Sequence, residues 1–327
     1  MNVLASVVDG VLEATVVGSF TSLGPRVRSS LDHWQPYRSM TGRTAVITGA
    51  TSGLGLEIAR QLALLGADLI LVGRNPDKLA KTVAEVGALS SGSTRGEVAD
   101  LADLDATRAL GGRLAGNLEH LDVLIHNAGA LLEHYVVTAQ GYETTFAVHL
   151  LSPFLLTELL LVPLEAAQGA KVITMTSGGM YTERYDADQL QMTPSSYKGA
   201  TAYAKAKRAQ VVLNANLQQR YGPAQIAFHL AHPGWTDTPG VSASLPTFSK
   251  VLGPLLRTTT QGADTVVWLA SEPAGTPEGG RLWLDRRPRG LHHLGFTKKS
   301  PVVEAQEAAA LFDTLTLATA PGARGPG

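Results

Sequence analysis

The sequence predicts an α/β chain: a doubly wound, mostly parallel sheet with helices on both faces, in one domain behind a helical N-terminal extension. Three observations carry this reading. From residue 43 onward, short β-rich runs alternate with helical patterns long enough to cross over a sheet. Several strand runs are almost continuously apolar, as strands covered on both faces must be. No internal repeat or linker divides the chain, so the domain is read as 42–312, with an extension at 1–41 and a disordered tail at 313–327.

The elements follow in order. In the extension, Val3, Leu4, Val7, Val8, Val11 and Leu12 form a helical stripe. Asp9 and Glu13 interrupt any signal-peptide apolar region, and no basic segment precedes it, which argues against a signal peptide. The stripe reads as a helix docked on its own domain or a partner subunit; a membrane-surface helix is the alternative. "TAVITG" is the first strand, and "SGLGLEIARQLALLG" a helix closed by Gly66. "ADLILVG" is the second strand, followed by a helix with Pro76 in its first turn and Gly87 at its end. "TRGEVADL" is the third strand, with a helix from about Asp103 to His120, and "LDVLIHNAG" the fourth. A long helix from about Gly141 to Leu161 is interrupted by Pro153, and "AKVITMTS" is the fifth strand. A helix from about Thr201 to Tyr221, the strand "QIAFHLAHPG" and a last strand "RLWL" complete the pattern.

Composition narrows the function classes. A formal net charge of −1 lacks the clustered basic surface that nucleic acid requires. There is no cysteine, which removes disulfide and thiolate chemistry and fits a cytoplasmic location. No run approaches the length of a membrane span, so membrane contact would be peripheral. His229 and His232 lack an evident third ligand, so no metal is expected.

"TGATSGLG" joins the first strand to the first helix, where a doubly wound, Rossmann-like fold binds a dinucleotide. Thr48, Gly49, Ser52, Gly53, Leu54 and Gly55 are the candidate phosphate-binding residues. The glycines permit a tight turn and close approach, and the helix N-terminus offers free N–H donors. About 20 residues on, such folds place an acid on the ribose 2′-hydroxyl. This chain has Gly73, Arg74 and Asn75 there. The missing carboxylate and the added planar cation favour a 2′-phosphate, hence NADP(H).

This phosphate loop, Asp100–Leu101, "NAG" at 127–129, Ser177 after the fifth strand, Tyr203-x-x-x-Lys207 and a later Pro233–Gly234 occur in one order. Together they resemble the short-chain dehydrogenase/reductase family over roughly residues 42–290. "TSGGM", "YAKAKRAQVVL", "HPGWTDTPGV" and "LWLDRRP" resemble a group related to its retinol-dehydrogenase-like branch. The resemblance implies a nicotinamide-linked oxidoreductase. It implies that Asp100 binds the adenine amine beside Leu101, and that Asn127, Ala128 and Gly129 border the cofactor. It also implies Ser177, Tyr203 and Lys207 as catalytic residues, and Pro233, Gly234, Thr236 and Thr238 along the nicotinamide. One position departs: His149 stands where the family has a relay asparagine. His149 either substitutes in the relay, titrating near neutrality, or is bonded to backbone with no relay role.

The chemistry fits the pair. An unperturbed Tyr has a pKa of about 10, and lowering it by 3 units costs about 4 kcal/mol. One positive charge about 4 Å away supplies roughly that at an effective dielectric of 20. Lys207 lies one turn from Tyr203 on the same helix face, while Lys205 and Arg208 read as solvated. Tyr181, Tyr185 and Tyr197 have no such lysine.

The segment from about Trp235 to Leu256, with Leu245, Phe248, Val251, Leu252 and Leu255, is apolar. It reads as a lid over a small apolar alcohol, aldehyde or ketone, or as a helix simply packed on the domain. Rival readings are a cofactor-binding regulatory protein without turnover and an NAD-linked retinoid- or sterol-type dehydrogenase. A monomer or a homodimer paired through the two long helices is expected.

Overall fold

The computed structural model describes residues 3–238 and 253–326. Eight strands form one sheet in the order β3-β2-β1-β4-β5-β6-β7-β8. In chain order these are β1 (Thr44–Thr48), β2 (Asp68–Gly73), β3 (Thr94–Val98), β4 (Val123–His126), β5 (Lys171–Met175), β6 (Ala227–Ala231), β7 (Arg281–Leu284) and β8 (Arg287–Arg289). Every pairing is parallel except β7 with β8. The strand order reverses at β1, so a crevice opens where the chain leaves the carboxyl ends of β1 and β4.

Alternate residues of the strands face two separate cores. Val46, Ile70, Leu124, Val172 and Phe228 pack against one helical layer. Ala45, Ile47, Leu69, Leu71, Val123, Ile125 and Ile173 pack against the other. This is why the strands read as continuous apolar runs. The helices are α1 (Val3–Ala14), α2 (Val16–Phe20) and α3 (Leu23–Leu31) in the extension, then α4 (Gly53–Leu64), α5 (Pro76–Gly87) and α6 (Leu104–Asn117). There follow α7 (Thr144–Phe146), α8 (Ser152–Leu159), α9 (Leu161–Ala166), α10 (Gly199–Tyr221), α11 (Thr259–Ser271) and α12 (Pro301–Ala318). No described helix is long and apolar enough to cross a membrane.

Four expectations need revision. First, α12 runs to Ala318 and the Gly325 N–H donates to the Gln140 carbonyl, so the chain remains placed well inside the expected disordered tail. Leu311, Phe312 and Leu315 are buried against the core, and that burial holds the helix. Second, α12 covers part of the face of α8 and α10 expected for pairing: Phe312 meets Phe154 edge-on at 5.1 Å and lies under the Arg220 guanidinium. Third, β8 was not foreseen. The β7–β8 turn puts Asp285 and Arg286 at φ 54° and 56°, a conformation hairpin turns usually give to glycine or asparagine. Ion pairs hold both residues there: Asp285 with Arg28 and Arg257, Arg286 with Asp264.

Fourth, α1 docks on its own domain with a different face from the one expected. Val7 and Val11 are exposed, while Asp9 and Glu13 turn inward to Arg28, Arg287 and Arg289. A paired charge was the stronger anchor than the valine stripe.

Candidate active site

The phosphate loop is shaped by close packing. Gly49 has φ 66°, and a Cβ there would lie 2.8 Å from Ala128 Cα. A Cβ on Gly55 would run into the Gly49 carbonyl and the Asn127 amide. Asn127 staples the loop: Nδ2 donates to the Thr48 carbonyl at 3.0 Å and to the Gly49 carbonyl at 3.1 Å. Thr48 is buried, and its hydroxyl donates to the Ile125 carbonyl and accepts from the backbone N–H groups of Asn127 and Ala128. The Thr48 hydroxyl is thus committed to the frame of the loop. Ser52 precedes α4 in an extended conformation without a side-chain cap bond, unlike Asn75 and Asp103 at α5 and α6. The open N-terminus and the glycine cradle fit a pyrophosphate.

On the far side of β1, Arg74 stands exposed at the end of β2. Gly73 has no room for a side chain, because a Cβ would meet Thr51 Cγ2 at 2.7 Å. Asn75 caps α5 by accepting from the Lys78 N–H at 2.9 Å, so its side-chain oxygen is spoken for. Asp100 is exposed, with one oxygen accepting from the Ala102 N–H. Leu101 is buried, and its carbonyl accepts from Ser152.

Beyond β4, a cleft of about 510 Å³ gathers the remaining candidates. Ser177, Tyr203, Lys207 and His149 line it, with Leu54, Asn127, Gly129, Pro233, Gly234, Thr236 and Thr238. The Ser177 hydroxyl lies close enough to the Tyr203 phenol to act on its titration. Burial raises the Tyr203 phenol above its ordinary value, and the neighbouring Ser177 hydroxyl partly offsets this. Lys207 Nζ donates to the Met175 carbonyl at 2.7 Å and lies 5.4 Å from the Tyr203 ring centre. Burial pushes the lysine down to about 7. At Tyr203 burial dominates, so the lowering expected from the lysine is not realised.

A family model described as short chain dehydrogenase matches residues 43–247. The chain belongs to the short-chain dehydrogenase/reductase family. It is 36% identical over 270 residues to dehydrogenase/reductase SDR family member 12 of Bos taurus, covering 80% of this chain and 83% of that one. It is 32% identical over 247 residues to retinol dehydrogenase 12 of Bos taurus, covering 75% and 78%. Among solved structures it is similar to a protein from Beutenbergia cavernae described as an NAD(P)-dependent gluconate 5-dehydrogenase with bound NADP. That match has 25% identity, a TM-score of 0.63, and coverage of 76% of this chain and 96% of that one. The chain is an oxidoreductase of this family.

His149 is fully buried and bonded to backbone, its Nε2 2.9 Å from the Ala130 carbonyl. Burial, then the neighbouring Lys207 charge, pushes it down to about 3. It therefore does not titrate near neutrality, which corrects that part of the relay reading. Its ring stands edge-on to Tyr203, with centres 5.2 Å apart. The chain around it leaves the α-helical ladder as a π-helical turn, Ala147–Leu151. Pro153 has no N–H to return to the His149 carbonyl four residues back. Gln210 Nε2 donates to that carbonyl instead, at 2.9 Å. Gln210 was missed in the sequence, although it lies seven residues after Tyr203 on the same face of α10.

Arg208 was misread as solvated. It is buried, with Nη1 donating to the Leu291 carbonyl and Nη2 beside His292. Lys205 is half-buried and donates to Gln189. Nδ1 of His229 accepts from the Trp283 indole, and Nδ1 of His232 from the Gly234 N–H. Among the described residues no group of three or more His, Asp or Glu could hold a metal ion. Leu245, Phe248, Val251 and Leu252, read as part of a lid, lie outside the described residues. Of their neighbours, Leu256 is buried and Leu255 exposed.

Proposed function

We propose that this enzyme uses NADP(H) to interconvert an apolar alcohol and its aldehyde or ketone, with Ser177, Tyr203 and Lys207 as the catalytic residues. The convergence of these three side chains on one cleft carries the reading. Bound NADPH supplies the hydride that reduces the carbonyl carbon. Tyr203 O–H gives its proton to the carbonyl oxygen, and Ser177 donates a hydrogen bond to the same oxygen. Lys207, held near 7, stands below the tyrosine ring where it can take up or release a proton at physiological pH. The substrate side is apolar, with Leu131, Ala200, Ala204 and Trp235 in its walls.

The preference for NADP(H) over NAD(H) rests on Arg74 and on Gly73, whose crowded site leaves no place for a ribose-binding acid. The bound NADP of the Beutenbergia cavernae structure agrees with it. His149 is a positioning residue in this reading, a neutral ring set against Tyr203.

The test is NADPH oxidation with a panel of lipophilic aldehydes and ketones, using Tyr203→Phe as control. General acid–base catalysis contributes roughly 10²- to 10⁴-fold, so the variant should lose that much in kcat while binding NADPH normally. Tight NADPH binding without turnover on any of the panel would establish the regulatory alternative. A preference for NADH would overturn the cofactor reading.

A further inference from the structure

The N-terminal extension reaches the back of the cleft at a single ring. Phe20, at the end of α2, is 3% exposed. Its ring is 4.4 Å from His232 and 5.8 Å from Trp235. It is also 6.2 Å from Tyr181, and a Cβ on Gly178 would lie 2.9 Å from its Cε2 and 3.0 Å from His232 Nε2. Gly178 follows Ser177, and both Gly178 and Trp235 line the cleft. One side chain thus fills the space behind two walls, the serine wall and the 233–236 wall.

The backbone repeats the connection. The Phe20 carbonyl accepts from the Trp235 N–H at 2.7 Å and from Arg257 Nε at 3.0 Å. Arg257 is 1% exposed and sits directly behind Gly234, where any Cβ would collide with its guanidinium. Its Nη2 donates to the Ser19 carbonyl at 2.6 Å, and its Nη1 pairs with buried Asp285 at 2.6 Å. Arg28 of α3 pairs with the same Asp285. The Arg257 backbone N–H donates to the Trp235 carbonyl, and the Ser22 N–H to the Leu255 carbonyl. Residues 19–22 therefore bond both to Trp235 and to Leu255 and Arg257.

We propose that Phe20, seconded by Arg257, is a positioning residue that sets the separation of the Ser177 and Trp235 walls, and so the size of substrate the cleft accepts. This rests on the function proposed above for the cleft. Truncating the ring leaves both walls free to relax into the vacated space.

The experiment compares the full-length parent with Phe20→Ala and Phe20→Leu. The readout is the ratio of kcat/KM for dodecanal to that for propanal, with NADPH. Phe20→Ala should shift this ratio at least about fivefold, and Phe20→Leu, which keeps an apolar wedge, should restore most of it. A role confined to stability would lower the melting temperature and the fraction of active enzyme, yet leave the ratio and each KM at the parent value; that result overturns the proposal. A second readout needs no turnover: acrylamide quenching of Trp235, isolated as the difference between each protein and its Trp235→Phe counterpart. Quenching should rise in Phe20→Ala, and an unchanged value rejects the wedge. A parent that reduces neither aldehyde while the quenching rises would count against the proposed reaction, with the wedge intact.

Discussion

Replacing His149 with Asn separates a buried neutral ring from a titrating relay. Unfolded His titrates at about 6.5, and in the folded chain His149 is pushed down to about 3. Between these values the unfolded chain binds a proton that the folded chain does not. Stability therefore rises with pH across that window and is independent of His149 above it. Near pH 5 the difference is almost one full proton, which corresponds to a slope of about 1.4 kcal/mol per pH unit. His126, His229 and His232 are also pushed down to about 3 by burial, so the parent should lose stability steeply on acidification. His149→Asn should remove roughly one proton's worth of that slope. Its absolute stability will also drop, through the lost bond to the Ala130 carbonyl, but the slope does not depend on this. Urea unfolding at a series of pH values from about 4.5 to 6.5 measures it. The companion measurement is the pH profile of kcat/KM for carbonyl reduction, which should keep its shape between about pH 6 and 8. An acid limb near pH 6.5 in the parent that vanishes in His149→Asn, with no change in the stability slope, would refute the buried-neutral assignment.

Two further substitutions address the cofactor and the π-helical turn. Arg74→Ala should weaken NADPH by roughly tenfold to a hundredfold, the worth of a charge-assisted hydrogen bond of about 1.5–3 kcal/mol, while NADH binding and melting temperature stay put because Arg74 is exposed. Equal loss for both cofactors, measured by fluorescence titration, would remove Arg74 from the 2′-phosphate site. Gln210→Leu should cost about 1–3 kcal/mol in urea unfolding, because it leaves the His149 carbonyl buried and without a donor that Pro153 cannot supply. A neutral result would mean that the turn does not depend on Gln210.

The parts of this protein that could be read from sequence are those set by short-range spacing. The strand pattern, the glycine loop ahead of α4 and the four-residue step from Tyr203 to Lys207 are each local, and each lies where the spacing put it. Pro153 signalled a break within the long helix, but Gln210, sixty-one residues from His149, carries the hydrogen bond that completes the turn. The misread positions share a different property: they are charged and their partners are far away in sequence. Arg208 appeared solvated because its acceptor, the Leu291 carbonyl, comes from a segment 83 residues on. Asp9 and Glu13 read as the polar face of α1, yet they anchor it, because Arg289, the partner of Asp9, lies 280 residues away. Asp285 adopts a left-handed turn that its own neighbours do not favour, held by Arg28 from 257 residues away. An unpaired charge is costly to bury, so the local expectation of a solvated face is sound until a partner is supplied. Here the extension and the β7–β8 turn supply the partners to each other. That same exchange brings Phe20 and Arg257 behind the cleft. The proposed reacting groups are thus encoded locally, just after β5 and on α10, whereas the wall proposed to set substrate size is encoded jointly by two distant parts of the chain.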